Sequence, residues 1–247
     1  MLLLGGCATT TQGAPDERDP LEPYNRAMFR FNDAVDRAVV KPVAKGYKAV
    51  TPEFVDEGIT NFFANLEDLT VAANSLLQGK FHNALSDASR VVVNSTVGVL
   101  GFFDVASALG AKKHDEDFGQ TLGYWGVPPG PYLVLPLLGP STVRDAPALA
   151  VDLYTTDVVF LHEDETVRNV GLTLEFVDTR ADLLSKEEIV EDIAFDRYDS
   201  IRNAYLEHRR FLVHDGEPPP REGEVDLIEE LEQMESLPDG GDSSSSP

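Results

Sequence analysis

Cysteine, positive charge and long apolar runs are what this sequence has least of, and each shortage excludes something. Cys7 is the only cysteine among 247 residues, so an internal disulfide is excluded, as is a thiolate metal site of the usual spacing. Twenty Lys and Arg stand against 43 Asp and Glu, a net charge of −23, which argues against a nucleic-acid surface or an overall polybasic headgroup surface. No segment supplies the run of about 20 apolar residues that a spanning helix needs. The nearest, Val91 to Phe103, is uncharged but short and holds Asn94, Ser95, Thr96, Gly98 and Gly101, which suits an interfacial or re-entrant segment better than a span.

Catalytic signatures are missing too. There is no G-x-S-x-G elbow and no H-E-x-x-H, so a hydrolase built on Ser141 with His114, His162, His208 or His214 and an Asp would have to be assembled by the fold alone. The expectation is a non-enzyme with no cofactor and no metal. His114-Asp115-Glu116-Asp117 resembles a metal cluster only superficially, because consecutive side chains point in different directions; it reads as a solvated turn or a helix cap. Glu187-Glu188 with Glu191-Asp192 reads as a solvent-facing helix side.

What is present starts at the N-terminus. Leu2-Leu3-Leu4-Gly5-Gly6-Cys7 has an apolar run, small residues and then cysteine, the layout that ends a lipoprotein signal. Residues 1–6 carry no Lys or Arg, so the true start is expected upstream. Ala8 follows the cysteine, which by the known sorting rules points to the outer membrane, and 8–18 is small, polar and Pro-containing, a tether. A single folded domain is expected over 19–214, large enough to bury a core at 42 % hydrophobic content. From Asp215 onward, eleven acids and one base make 215–247 an acidic, disordered tail that solubilises one face of the protein.

Helix signals fill the domain. Asp19-Pro20-Leu21-Glu22 combines an N-cap acid, an early proline and a glutamate, and Leu21, Tyr24, Met28, Phe31, Val35 and Ala38 then recur on one face, which reads first as a core face and second as a lipid face. Pro42 is expected to end or kink that helix. Thr51-Pro52-Glu53 starts a second carrying Phe54, Phe62, Phe63 and Leu66, with Gln78-Gly79 as its stop; Phe81 to Val97 is a third, with Leu85, Ala88, Val92 and Ser95 on one side. Asp164 to Leu184 and Ser185 to His208 are two more, the last capped by Ser185 and Glu188 and carrying Ile189, Ile193 and Tyr205.

Phe118 to Val143 stands apart. It has no charge, five prolines and five glycines, so a regular helix is not expected, yet it carries Leu122, Tyr124, Trp125, Val127, Tyr132 and five residues of Leu or Val from 133 to 138. Such an apolar load must be buried or lie against lipid. It reads either as a loop packed over the core or as an extended apolar hairpin lining a passage for acyl chains. Arg144, the first cation after Lys113, is placed to bind a phosphate, to pair with Asp145 or to cap a helix.

Three blocks, DPLEPYNRAMFRFN (19–32), NFFANLEDLTVAANSLLQGK (61–80) and FGQTLGYWGVPPGPYLVLPLLGPSTVRD (118–145), resemble the MlaA/VacJ lipoproteins, and the resemblance runs from Cys7 to about His214. It implies an all-α ring or doughnut lying in the membrane interface around an amphipathic channel. It further implies an outer-membrane protein, lipid-anchored through Cys7 on the periplasmic, inner-leaflet side, that maintains lipid asymmetry by removing phospholipid from the outer leaflet. The implied partners are phospholipid, a trimeric outer-membrane porin and a soluble periplasmic lipid-binding carrier (MlaC-like). By the same resemblance Tyr124, Trp125, Tyr132, Leu135 and Arg144 border the lipid channel, and Asn25, Phe29, Phe31 and Asn32 lie on the helix at its mouth. A porin-associated scaffold without transport is the alternative, and the uncharged hairpin is the feature it does not need.

Overall fold

The computed structural model describes residues 16–155, 157–185 and 196–220. Cys7, most of the tether, and the tail from 221 onward lie outside them, as do the expected helix positions Glu188, Ile189 and Ile193 and the acid pairs at 187–188 and 191–192.

The chain enters through Asp16–Asp19 and forms α1 (Glu22–Val35), a π turn (Asp36–Val40) and α2 (Lys41–Val50) as one continuous rod. Asp19 does not cap α1: its side chain is buried and accepts from Asn25 Nδ2 at 2.7 Å, from the Tyr198 hydroxyl and from Arg202, so the expected cap is instead a tertiary anchor. Pro42 does not end the helix either. The wider π turn just before it leaves room for the ring and shifts the ladder past the missing N–H.

Pro52 then opens α3 (Glu53–Leu77), Gly79 at φ +76° follows its end, and α4 (Phe81–Thr96) returns along it. An apolar turn with Val99, Leu100 and Gly101 at positive φ leads to the short α5 (Val105–Ala108). Part of the Pro/Gly-rich segment is helical after all: α6 (Phe118–Tyr124) forms because Asp117 caps it, its carboxylate accepting from Gln120 N–H at 2.8 Å. The rest is the expected hairpin. Strands β1 (Tyr132–Leu135) and β2 (Gly139–Thr142) pair antiparallel, with Tyr132 opposite Thr142 and Leu135 opposite Gly139. Helix α7 (Asp145–Thr155), not anticipated from sequence, precedes α8 (Glu165–Asp182), which starts where expected and is capped by Asp164, and α9 (Arg197–Val213), capped by Asp196.

Packing runs in a closed circuit. Helices α2 and α3 both meet α8, α3 meets α4 and α6, α6 meets α7 and α9, α9 meets β2, and β1 meets α1. The helices therefore close into a ring, and no described helix is long and apolar enough to cross a membrane.

Within the packed ring the buried side chains are mostly polar, and many large apolar side chains are exposed. Among the described residues 20 buried side chains are polar or charged and ten are apolar, the reverse of a soluble core. On α1 the buried residue is Asn25, while Leu21, Tyr24 and Phe31 are exposed. On α4 the buried row is Ala84, Asp87, Arg90 and Asn94, while Leu85 and Val92 face out. The helical period is the expected one and its phase is inverted, so the core reading of these apolar faces is corrected.

Candidate functional site

An open cavity of about 500 Å³ lies between α1, the π turn, the hairpin, α8 and α9. That is the size of a small-ligand site. Its walls are Phe29, Val134, Leu137, Pro140, Phe176 and Ile201, with Tyr132 and Leu138 among its other lining residues. Charges appear only in pairs at its edge: Arg180 grips Asp36 with both Nε (2.7 Å) and Nη2 (2.8 Å), and Arg197 pairs with Asp33. An apolar slot whose bordering cations are already spent on carboxylates favours uncharged hydrocarbon over a polar ligand.

Two asparagines hold the hairpin wall in place. Asn25 Nδ2 donates to the Tyr132 carbonyl at 2.9 Å while its Oδ1 accepts from Val134 N–H at 2.8 Å. Two turns later on α1, Asn32 Nδ2 donates to the Leu135 carbonyl and its Oδ1 accepts from Leu137 N–H, both at 2.8 Å. Each primary amide thus offers a donor and an acceptor to the free edge of β1 and the turn beyond it, as a neighbouring strand would. The second clamp holds Leu137, a non-glycine residue at φ +62°. Beneath the clamps, Tyr132 and Val134 pack on Tyr198, with Met28, Phe29, Tyr205 and Leu206 around them. The Tyr132 hydroxyl is buried without a partner, and burial followed by the nearby Asp19 charge pushes its pKa up to about 12.

The residues expected at the channel fall into three places. Phe29, Asn32 and Tyr132 line the cavity, and Asn25 and Leu135 belong to the clamps. Tyr124, Trp125 and Phe31 are half-exposed on the outside, where Trp125 Nε1 donates to the Leu77 carbonyl and the Lys80 ammonium sits 5.4 Å from the Tyr124 ring centroid. Arg144 lies in neither place. It is buried, its Nε donating to Asp145 at 2.8 Å, in a network where Arg209 bridges Asp145 and Asp117. Burial raises the Asp145 pKa, but the Arg144 hydrogen bond and the Arg209 charge outweigh it and hold the carboxyl below its usual range. Sequence reading missed Phe176, Arg180, Arg197 and Ile201, because nothing local marks residues of α8 and α9 as facing the hairpin.

His114–Asp117 is mostly structural. Asp117 is the cap that was expected, whereas Glu116 is buried and accepts from Lys80 and Gln78, both at 2.7 Å, so it is not a solvated turn. Ser141 is buried with Oγ toward the Thr142 carbonyl; His114 sits on Asp87, His162 accepts from Asp164 N–H, and His214 lies against the Arg210 carbonyl. At the two ends of the domain, Arg18 C=O accepts from Tyr132 N–H at 2.8 Å, and Asp215 pairs with Lys80.

The fold and site together define a helical ring with its apolar residues outward and an apolar slot under a clamped, proline-rich hairpin. The chain belongs to the MlaA lipoprotein family, whose model matches residues 17–212. It is 34 % identical over 224 residues to the intermembrane phospholipid transport system lipoprotein MlaA of Escherichia coli K12, covering 89 % of this chain and 88 % of that one. The protein of the same name from Haemophilus influenzae is 32 % identical over 243 residues, covering 96 % and 92 %. A solved chain, described under the structural basis for maintenance of bacterial outer membrane lipid asymmetry, superposes with a TM-score of 0.70 at 31 % identity, covering 79 % of this chain and 98 % of that one.

Proposed function

We propose that this protein removes phospholipid from the outer leaflet of the outer membrane and hands it toward the periplasm, as the lipoprotein component of an intermembrane phospholipid transport system. The observation that carries this is the apolar slot under the hairpin. It accommodates hydrocarbon, its edge charges are already paired, and it opens on a ring whose outer surface is itself apolar. The slot receives acyl chain while the headgroup stays at its charged rim, by Arg180–Asp36 and Arg197–Asp33, so the passage lowers the barrier for moving the headgroup without covalent chemistry. Lipid acylation of Cys7 holds the ring at the inner leaflet, a trimeric porin supports it there, and a soluble periplasmic carrier accepts the lipid. Tyr124, Trp125 and Phe31 contact the surrounding membrane, Tyr132 and Phe29 contact lipid in the slot, and Asn25 and Asn32 set the hairpin's position; Arg144 acts only through the fold.

The test is outer-leaflet phospholipid in a deletion strain complemented with the parent chain or with Leu137→Asp/Leu138→Asp. Correction by the parent alone, at equal expression and porin association, supports transport through the slot. Correction by both makes the slot dispensable and favours the scaffold reading.

A further inference from the structure

The net charge of −23 hides one local exception. Between Arg18 and Lys48 the chain carries seven of its 20 cations and only four acids, so this stretch is net positive while the remainder is strongly negative. Most of the stretch is the α1–π–α2 rod, and five of its cations, Arg30, Arg37, Lys41, Lys45 and Lys48, follow one another at steps of seven, four, four and three. Those steps keep all five on one flank of a helix, and the π turn between Arg37 and Lys41 preserves the alignment. Beside this flank runs the outward strip of Tyr24, Phe31, Val39, Val43 and Val50, all exposed. Arg37 pairs with Asp33 and Lys48 with Asp56, but Arg30 and Lys45 are exposed and have no ion-pair partner among the described residues.

We propose that the outer face of this rod is a docking surface for anionic phospholipid headgroups, with the apolar strip among the acyl chains and Arg30 and Lys45 on the phosphates. The assignment rests on the membrane reading given above and adds to it a headgroup charge preference located on named residues. An apolar strip flanked by a row of Lys and Arg is the pattern of a helix lying in an anionic interface. The remaining surface is acidic and is repelled by such a membrane, so this flank would set the ring's rotational orientation in the leaflet as well as its affinity.

The experiment uses the full chain carrying Cys7→Ser, so that no acyl anchor contributes, and measures flotation with vesicles of phosphatidylcholine alone or mixed with phosphatidylglycerol. The expected result is tighter binding to the mixed vesicles at low salt, lost at high salt, and weakened roughly fivefold for each charge removed by Arg30→Gln and Lys45→Gln. Lys112→Gln, an exposed cation elsewhere, should leave binding unchanged, and an unaltered helical circular dichroism spectrum establishes that the variants fold. Equal binding of parent and double variant to both vesicle types overturns the proposal and leaves the membrane reading intact. Binding of the parent to neither type removes both. Zero-length cross-linking of Lys45 to a carboxylate within 222–242, with no anionic preference, assigns the flank to the chain's own acidic tail and overturns the lipid assignment.

Discussion

The hairpin corner and the α3–α4 pair are both well buried, and they are held by opposite means. At the hairpin, Tyr132, Val134 and Tyr198 form an aromatic core of the ordinary kind, with Tyr132 edge-on to Tyr198 and to Tyr205. Between α3 and α4, the largest fully enclosed side chain is Arg90. Its Nε donates to Asp68 at 3.0 Å, its Nη2 to Asp104 and its Nη1 to Ser107 and the Ala111 carbonyl, while Asn94 also donates to Asp104. Burial raises Asp104, but Ser107, Asn94 and Arg90 outweigh it and hold its carboxyl far below the usual range. The difference shows what an apolar exterior does to a fold. Where the exposed helix faces carry the hydrophobic residues, specificity between the helices has to come from hydrogen-bonded charge; among the described residues, the corner that lines the slot is where a conventional apolar cluster forms.

Four substitutions sharpen or break that contrast. Arg90→Met leaves buried Asp68 with only the longer Lys113 contact at 3.4 Å and partly exposed Asp104 without its cation, and is expected to cost about 3 kcal/mol of unfolding free energy in detergent denaturation. A loss below about 1 kcal/mol would mean that water reaches the carboxylates and that the interior is not held by charge. Asn25→Ala removes the deeper clamp and strands the Tyr132 carbonyl and Val134 N–H, for an expected loss of about 2–3 kcal/mol and faster hydrogen exchange at Val134. Unchanged exchange there would show that the hairpin does not depend on α1.

Glu175 tests the polar interior where a cation is lacking. Burial, followed by the charges of Asp157, Glu67 and Asp178, raises its pKa to about 7 from 4.5. The folded state thus holds a proton that the unfolded state has released, so stability falls as pH rises from about 4.5 to about 7 and is level above. Glu175→Gln should match the parent at pH 4 and exceed it by about 1–2 kcal/mol at pH 8; a gap that does not vary with pH would contradict the burial. The smallest effect belongs to Tyr132→Phe. The hydroxyl is buried without a partner, so its removal should raise stability by up to about 1 kcal/mol, whereas a loss above about 1 kcal/mol would reveal a hydrogen bond to it.

Much of this architecture was legible, and the errors have two causes. The starts of α3 and α8, the stop at Gly79, the extent of α4 and the hairpin all follow from local signals: Pro52, Asp164, a glycine at positive φ, and clustered Pro and Gly. Periodicity found the apolar stripes of α1 and α4 but not which way they point, because period carries no sign. A stripe facing a core and a stripe facing acyl chains have the same spacing. The sign was present in the complementary rows, Asn25 with Asn32 and Asp87, Arg90 with Asn94, whose polar residues only make sense facing one another. Asp19 and Arg144 were misplaced for a different reason. Asp19's partners Tyr198 and Arg202 lie far along the chain, as does Arg209, which closes the network around the expected Arg144–Asp145 pair and buries it away from the slot; no local pattern announces a contact with α9. The same distance concealed the slot, two walls of which come from α8 and α9.

The most direct test of transport through the slot is photo-cross-linking of a phospholipid bearing a photoactivatable group in its acyl chain to the protein in outer-membrane vesicles, with adducts mapped by mass spectrometry. Adducts on Val134, Leu137, Ile201 and Phe176 are the predicted result, reduced when Leu137→Asp/Leu138→Asp closes the slot to hydrocarbon. Adducts confined to the exterior, at Val97, Leu100 and Phe103 or at Phe31, and indifferent to that substitution, would contradict the account.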